Sequence, residues 1–272
     1  MKNLKYILLI LNILILTSCE EVVDVDLDTA PPRLVVEASI DWEKGTTGTN
    51  QTIKLTTTTG YYSTEIPTVS GATVVVTDGN AVFNFIETAE GSGQYLCTNF
   101  IPALGRTYTL TVISGGQTYT ATETMMQAPD ITYTTQAEDG GILGDEIEIR
   151  YYYNDIPDQT NFYLTRATAS VIPVPEYDIN SDEFTENNEM FEFFSDEDLK
   201  KGDIVNVKIY GISERYYRFM NILLEAAGGG GNPFQGVPTM ARGNLVNHTD
   251  ESNYALGYFR VCQVTNLDIT IQ

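Results

Sequence analysis

The stretch Gly71-Ala72-Thr73-Val74-Val75-Val76-Thr77-Asp78-Gly79, with its return Ala81-Val82-Phe83-Asn84-Phe85-Ile86, decides the fold class. A run of β-formers leads into Asp-Gly, a tight-hairpin signal, and a second run leads back. Working outward, the pattern repeats. Upstream, Leu34 to Ile40 is rich in β-formers, and Gln51 to Thr59 alternates Ile53 and Leu55 with polar residues. Downstream come Gly93 to Cys97, then Gly105 to Val112 running to Gly115-Gly116, then Gln117 to Met125. Strands recurring at roughly eight to twelve residues, with turn residues between them and no helical period, indicate a β-sandwich.

Pro129-Asp130 marks a boundary, after which the strand signal resumes at Ile131 to Gln136. Ile147, Ile149, Tyr151 and Tyr153 then alternate with Glu146, Glu148, Arg150 and Tyr152. Asn161 to Val171 and Ile204 to Tyr210 read as further strands, as do Ala255 to Val264 and Leu267 to Ile271 at the end. Between them, Pro173 to Asp198 is acidic with scattered aromatics and reads as a long surface excursion. Ser213 can cap one helix, since Ile212, Tyr216, Phe219, Met220, Leu223 and Ala227 recur at helical spacing. Gly228 to Gly231 stops that helix; glycines after a helix cannot cradle a phosphate at its N-terminus. The expected fold is therefore mainly all-β. An N-terminal immunoglobulin-like or transthyretin-like β-sandwich spans 34–128. A second β-rich, sandwich-like domain spans 129–272 and carries the excursion 173–198 and one helix, 213–227.

The first residues bear on destination. Lys2 and Lys5 precede an apolar run, Tyr6 to Leu16, broken only by Asn12, and Leu16-Thr17-Ser18-Cys19 follows. This is the layout of a secretory signal peptide over 1–18, too short to be a comfortable membrane span. An aliphatic residue, two small polar residues and Cys resemble the lipobox of bacterial lipoproteins. That resemblance implies a diacylglyceryl group on Cys19, cleavage before it and acylation of the new amine. Two or three acyl chains make a stable anchor. The lipidated tether, 19–33, is acidic. Glu20, Glu21, Asp24 and Asp26 resemble the signal that sends Bacteroidota lipoproteins to the outer face of the outer membrane; a solvated acidic spacer is the plainer reading. Asp28-Thr29-Ala30 resembles the short O-glycosylation motif of the same envelope, making Thr29 a candidate attachment site.

The formal charge of −22 becomes −24 once residues 1–18, with Lys2 and Lys5, are removed. Such a chain lacks the basic surface that nucleic-acid binding requires. Hydrophobic residues make up 42% of the chain, enough for a real core. Cys97 and Cys262 remain beside Cys19; a disulfide is open to them in an exported protein, but a free cysteine is more often a small buried hydrophobe. There is one histidine, His248, in an expected loop near Asp250 and Glu251, and no Gly-x-Ser-x-Gly elbow. No Cys/His metal spacing exists and no cofactor is implied. Asp178, Asn180, Asp182 and Glu189 do fall on positions one, three, five and twelve of an EF-hand loop, but Glu183 stands where that loop needs glycine. Tyr61-Tyr62 and Phe184, Phe191, Phe193 and Phe194 are aromatics in expected loops, suited either to a binding surface or to pinning those loops on the core.

Several fragments in order resemble one family. They are Leu34-Val35-Val36-Glu37, Ser70-Gly71-Ala72-Thr73-Val74, Gly93-Gln94-Tyr95, Gly105 to Leu110, Asn154-Asp155-Ile156-Pro157 with Asn161-Phe162-Tyr163, and Ile212 to Phe219. Gly231-Asn232-Pro233-Phe234, Asn244 and Ala255 to Phe259 complete the set. Together they resemble a Bacteroidota outer-membrane lipoprotein family classed as a domain of unknown function, whose genes commonly lie beside those of SusC-like TonB-dependent receptors. The resemblance implies a non-catalytic accessory subunit of such a barrel, lipid-anchored and facing the cell exterior. It brings no catalytic residues. An accessory lipoprotein of an assembly or secretion complex, or a free-standing surface adhesin or glycan binder, are the alternatives.

Overall fold

A computed structural model describes residues 31–60, 63–141, 143–157, 159–183, 188–228 and 241–272. The Asp78-Gly79 hairpin forms as the sequence requires. Strand β3 (Thr73–Thr77) pairs with β4 (Val82–Glu87) in the register Val74↔Phe85 and Val76↔Phe83. The Asp78 carboxylate accepts from the backbone N–H groups of Asn80 and Ala81 at 2.9 and 2.7 Å, and Gly79 takes φ 86°. Those bonds, ahead of the Arg106 guanidinium at 2.5 Å, hold Asp78 below the usual carboxylate range. Val74, Val76, Phe83 and Phe85 all turn to one side and are buried.

Five strands join this pair in the first half: β1 (Leu34–Glu43), β2 (Gln51–Thr57), β5 (Gln94–Cys97) and the hairpin of β6 (Thr107–Ser114) with β7 (Gln117–Thr124). The sheet folds over itself. Val36, Ala38 and Ile40 of β1, with Ile53 and Leu55 of β2, share one core with Val76 of β3 and Leu110 and Val112 of β6. Buried phenols keep their hydrogen bonds, as burial demands. The Tyr95 hydroxyl donates to Val69 O and accepts from Ala72 N; Tyr108 does the same with Ile101 O and Ala103 N.

The second half adds β8 (Ile131–Gly140), β9 (Glu146–Asn154), β10 (Phe162–Ala169), β11 (Glu176–Ser181), β12 (Glu189–Asp196), β13 (Ile204–Ile212), α1 (Glu214–Gly228), β14 (Val246–Asn247) and β15 (Leu256–Thr270). Among the described residues the large sheet runs β11-β10-β13-β15-β1-β2-β5-β4-β3-β6-β7-β14, and a smaller sheet runs β12-β9-β8. Period-two alternation sorts β10 and β13 between two layers. Tyr163, Ala167, Val205, Val207 and Ile209 face the smaller sheet; Phe162, Leu164, Tyr210 and Ile212 face α1. Ser213 caps α1, its hydroxyl accepting from Tyr216 N at 3.2 Å, and Tyr216 and Met220 bury the helix's apolar stripe. Among the described residues strand takes 53% and helix 6%, so the fold is mainly β with large sheets.

Two expectations change here. The end of the chain is one strand, β15, rather than two: Asn266 is a polar residue on an exposed face, not a break. The excursion 173–198 is largely strand. It supplies β11 to the large sheet and β12 to the small one. Its alternation was hidden because inward positions hold Asp182 and Glu192 where apolar residues would be expected.

β15 is the spine of the molecule. It pairs in parallel with β1 from Leu256 to Val264 and antiparallel with β13 from Val264 to Thr270. Phe259 and Val261 belong to the first core, while Leu267, Ile269 and Ile271, on the same face, pack in the second. On the opposite face Tyr258, Cys262 and Val264 lie under α1. Gly257 has φ 88°, and a Cβ there would sit 2.1 Å from Val36 O; only glycine allows β1 so close. The Asn244 side chain stands in for a neighbouring strand, bonding both N–H and C=O of Phe259 at 2.9 and 2.8 Å.

Candidate functional site

Cys19, Glu20, Glu21, Asp24, Asp26 and Thr29, like Tyr61, Tyr62 and Phe184, lie outside the described residues. The remaining residues singled out from sequence are well placed. Cys97 and Cys262 are both free and buried. The Cys262 thiol donates to Asp41 Oδ1 at 3.3 Å; burial, then the Asp41 charge, push it far up, so it is held as an inert thiol. His248 is exposed and its Nε2 lies 2.7 Å from Thr120 Oγ1.

The EF-hand spacing does not make an EF-hand. Asp178 and Asn180 lie on β11 with Asp182 just beyond it, so the three share one strand face instead of wrapping a loop. Glu189, on β12, accepts from the Tyr133 hydroxyl at 3.0 Å. Among the described residues no group of three or more His, Cys, Asp or Glu side chains is disposed to hold a metal ion.

That strand face builds an acidic layer between the two sheets. Buried Glu192 of β12 accepts from the Tyr153 hydroxyl at 3.2 Å and from the Asn180 amide. Its carboxyl is pushed up to about 7, by burial first and then by the neighbouring Asp178 charge. Further along, Asp155 and Asp182 flank Asn161. The Asn161 Nδ2 faces Asp155 Oδ1 and Asp182 Oδ2 at 3.2 Å each, Ile156 O at 2.6 Å and Gln159 O at 2.9 Å. Two amide protons serve four acceptors, so the layer is rich in negative oxygen. Burial raises Asp182, and the Tyr163 hydroxyl, donating to Asp155 at 2.8 Å, is raised by burial and by that bond.

A second polar cluster lies beneath α1. The Arg260 guanidinium, 8% exposed, donates twice to Asp41 at 2.7 and 2.9 Å and once to the Tyr216 hydroxyl at 3.3 Å. Tyr210 and Tyr216 offer ring faces 4.8 and 5.2 Å away. This pair ties β1 to β15 and to the helix at once.

The outer face of the small sheet is open. Register brings Tyr133, Tyr152 and Phe191 into one row across β8, β9 and β12, and Thr135, Arg150 and Phe193 into the next. Tyr133 and Tyr152 stack with centroids 4.3 Å apart and planes 11° apart, and Phe191 tilts against Tyr152 at 5.6 Å. Arg150 lies 5.3 Å from the Phe191 ring centroid and bonds Glu148 at 2.5 Å. Phe191 is 48% and Phe193 59% exposed, whereas Phe194 is buried in the second core. The aromatics of this segment thus divide by strand parity. Tyr133 and Tyr152 were visible as strand residues, but only the cross-strand register joins them to Phe191.

Beside this face, β8 is an edge strand. A cleft of about 410 Å³ separates it from the end of β15 and the residues just after it, lined by Thr134, Gln136, Ile149, Leu267, Ile269 and Gln272 among others.

A family profile described as Domain of unknown function (DUF4249) matches residues 20–268. The chain belongs to this family. The DUF4249 match covers both sandwich cores, the acidic layer and the open face. No curated protein matches the chain. Among solved structures, a cytokine receptor complex aligns with 11% identity over 65% of this chain and 82% of its own, at TM-score 0.25. The chicken CNTN1 FN1-FN3 domains align with 15% identity over 67% and 62%, also at 0.25. The chicken interferon gamma receptor alpha chain aligns with 12% identity over 67% and 90%, at 0.20. At these scores the likenesses carry no argument about what DUF4249 proteins bind.

Proposed function

We propose that this DUF4249 protein is a lipid-anchored outer-membrane protein facing the cell exterior, working as a non-catalytic accessory subunit of a SusC-like TonB-dependent barrel. The observation that carries the reading is Leu16-Thr17-Ser18-Cys19 followed at once by Glu20-Glu21 and Asp24. A lipid at Cys19 confines the protein to the plane of the barrel, and confinement raises effective concentration enough for a modest interface to hold. The rigid double sandwich, with a shared spine and an exposed aromatic face, suits docking or capping. A free-standing surface binder is favoured by one observation, the exposed Tyr133–Tyr152–Phe191 row.

The test is a mild-detergent pull-down read by mass spectrometry. The tag belongs in the exposed Gly115-Gly116 turn, away from the open edge. Recovery of a SusC-like barrel is the expected result. An assembly or secretion barrel in its place removes the uptake role, and no barrel at all removes the accessory role. Protease treatment of intact cells should consume the protein; full protection until lysis removes the surface placement.

A further inference from the structure

We propose that the open edge of β8 is a strand-addition site for an extended, cationic peptide segment of another protein. This goes beyond the accessory reading and holds whether or not the partner is a barrel. β8 pairs with β9 on one side, and among the described residues no strand pairs with the other. Register shifts between Ile131 and Tyr133 and between Ala137 and Gly140 leave Tyr133–Ala137 as the regular, pairable stretch. Edge strands are ordinarily guarded by lysine, proline or a bulge; Tyr133-Thr134-Thr135-Gln136-Ala137 contains no lysine or proline, and both irregularities of β8 lie outside it.

The side chains describe a missing neighbour. On β9 and β12 the inward residues Ile149, Tyr151 and Phe194 are buried. On β8 the inward residue Thr134, opposite Tyr151, is exposed because it looks into the cleft. The far wall is Leu267 and Ile269, on a part of β15 that lies beyond its pairing with β1, which ends at Val264. A guest strand on β8 would alternate its side chains between this cleft and the outer face, where they continue the row begun by Tyr133.

Charge chooses the guest. Glu138 and Asp139 are exposed at the end of β8, Asp268 is exposed at the cleft, and among the described residues no basic side chain lines it. A second copy would bring the same acidic edge and a formal charge of −22, so self-pairing is opposed and a strand flanked by lysine or arginine is favoured.

The probe is a fluorescein-labelled peptide of alternating valine and threonine with paired lysines at each end, titrated into the full-length protein in detergent. Saturable binding below about 1 mM is expected, weakening as salt shortens the Debye length. The same peptide methylated on every backbone nitrogen should bind at least about tenfold more weakly, since it cannot donate to the ladder. Hydrogen exchange should show new protection at Tyr133–Ala137. Thr134→Pro should weaken binding about tenfold; if it does not fold, Thr134→Lys keeps the backbone N–H while placing a like charge in the cleft, and should weaken it about fivefold. The proposal is overturned by any of four results: no saturable binding, equal binding of the methylated peptide, protection elsewhere, or a folded Thr134 variant that binds like the parent. Protection of Tyr133–Ala137 without peptide, growing with protein concentration, would assign the edge to a second copy instead and also overturn it.

Discussion

Replacing Glu192 by glutamine should stabilise the protein at neutral pH and make its stability fall less steeply between pH 5 and 8. Glu192 is 7% exposed, and burial with the Asp178 charge raises its carboxyl from the ordinary 4.5 to about 7. The folded state therefore keeps this proton over a range in which the unfolded chain has lost it. Stability is highest at the acid end of that window and falls as pH rises through about 7. At about 1.36 kcal/mol per pH unit the full effect is about 3 kcal/mol, of which about 2.5 kcal/mol falls between pH 5 and 8. Asp78 and Asp250 are shifted downward, so their contributions are lost only below the ordinary carboxylate range, outside the window, whereas burial raises Glu123, Glu176 and Asp182 in the same direction as Glu192 and they add to the same fall. Glutamine retains an oxygen to accept from Tyr153 and Asn180 without the buried charge. Urea unfolding of the mature chain, followed by circular dichroism and by the single tryptophan Trp42, measures the effect. A parent midpoint that is flat or rises from pH 5 to pH 8, or a Glu192→Gln variant that keeps the parent's slope, would refute the reasoning.

Three further outcomes are expected. Arg260→Met should leave Asp41 facing an apolar group and lower stability by less than the ~3–5 kcal/mol of a fully buried pair, because the Asp41 side chain is 37% exposed, while the double change Arg260→Met with Asp41→Leu should recover much of the loss in the same urea assay. Gly257→Ala should destabilise more than an ordinary surface change, because its Cβ would overlap Val36 O; thermal unfolding should show a lowered Tm, and an unchanged Tm would mean β1 can shift. Phe194→Ala should cost about 3–5 kcal/mol and its neighbour Phe193→Ala less than about 1 kcal/mol, a contrast that equal losses in denaturant midpoint would contradict.

That last pair shows what the sequence makes legible. Hairpins with Asp-Gly or Gly-Gly turns, the capped helix after Ser213 and the inward set Ile149, Tyr151 and Tyr153 follow from local chemistry, and all are present. The segment from Pro173 to Asp198 resisted because its inward positions carry carboxylates and an amide, so hydrophobic alternation fails where a polar layer takes the place of core. The same side chains gave the EF-hand spacing; period two and positions one, three and five coincide whenever an acidic strand alternates. The aromatic row across Tyr133, Tyr152 and Phe191 depends on pairing register between strands far apart in sequence, which no local pattern encodes.

The shared strand β15 also sets the order of assembly. Asp41 and Arg260, which meet across the β1–β15 pair, are separated by 219 residues. Loop closure over such a span is entropically unfavourable, and parallel pairing forms slowly. β1 stands near the start of the described chain and β15 follows every other strand, so Val36, Ala38 and Ile40 keep one flank bare until β15 docks. Phe259 and Val261 then finish the first core with the same stroke that lets Leu267 and Ile269 finish the second. Neither half can mature ahead of the other, and a chain that lacks β15 is left with two unfinished cores rather than one.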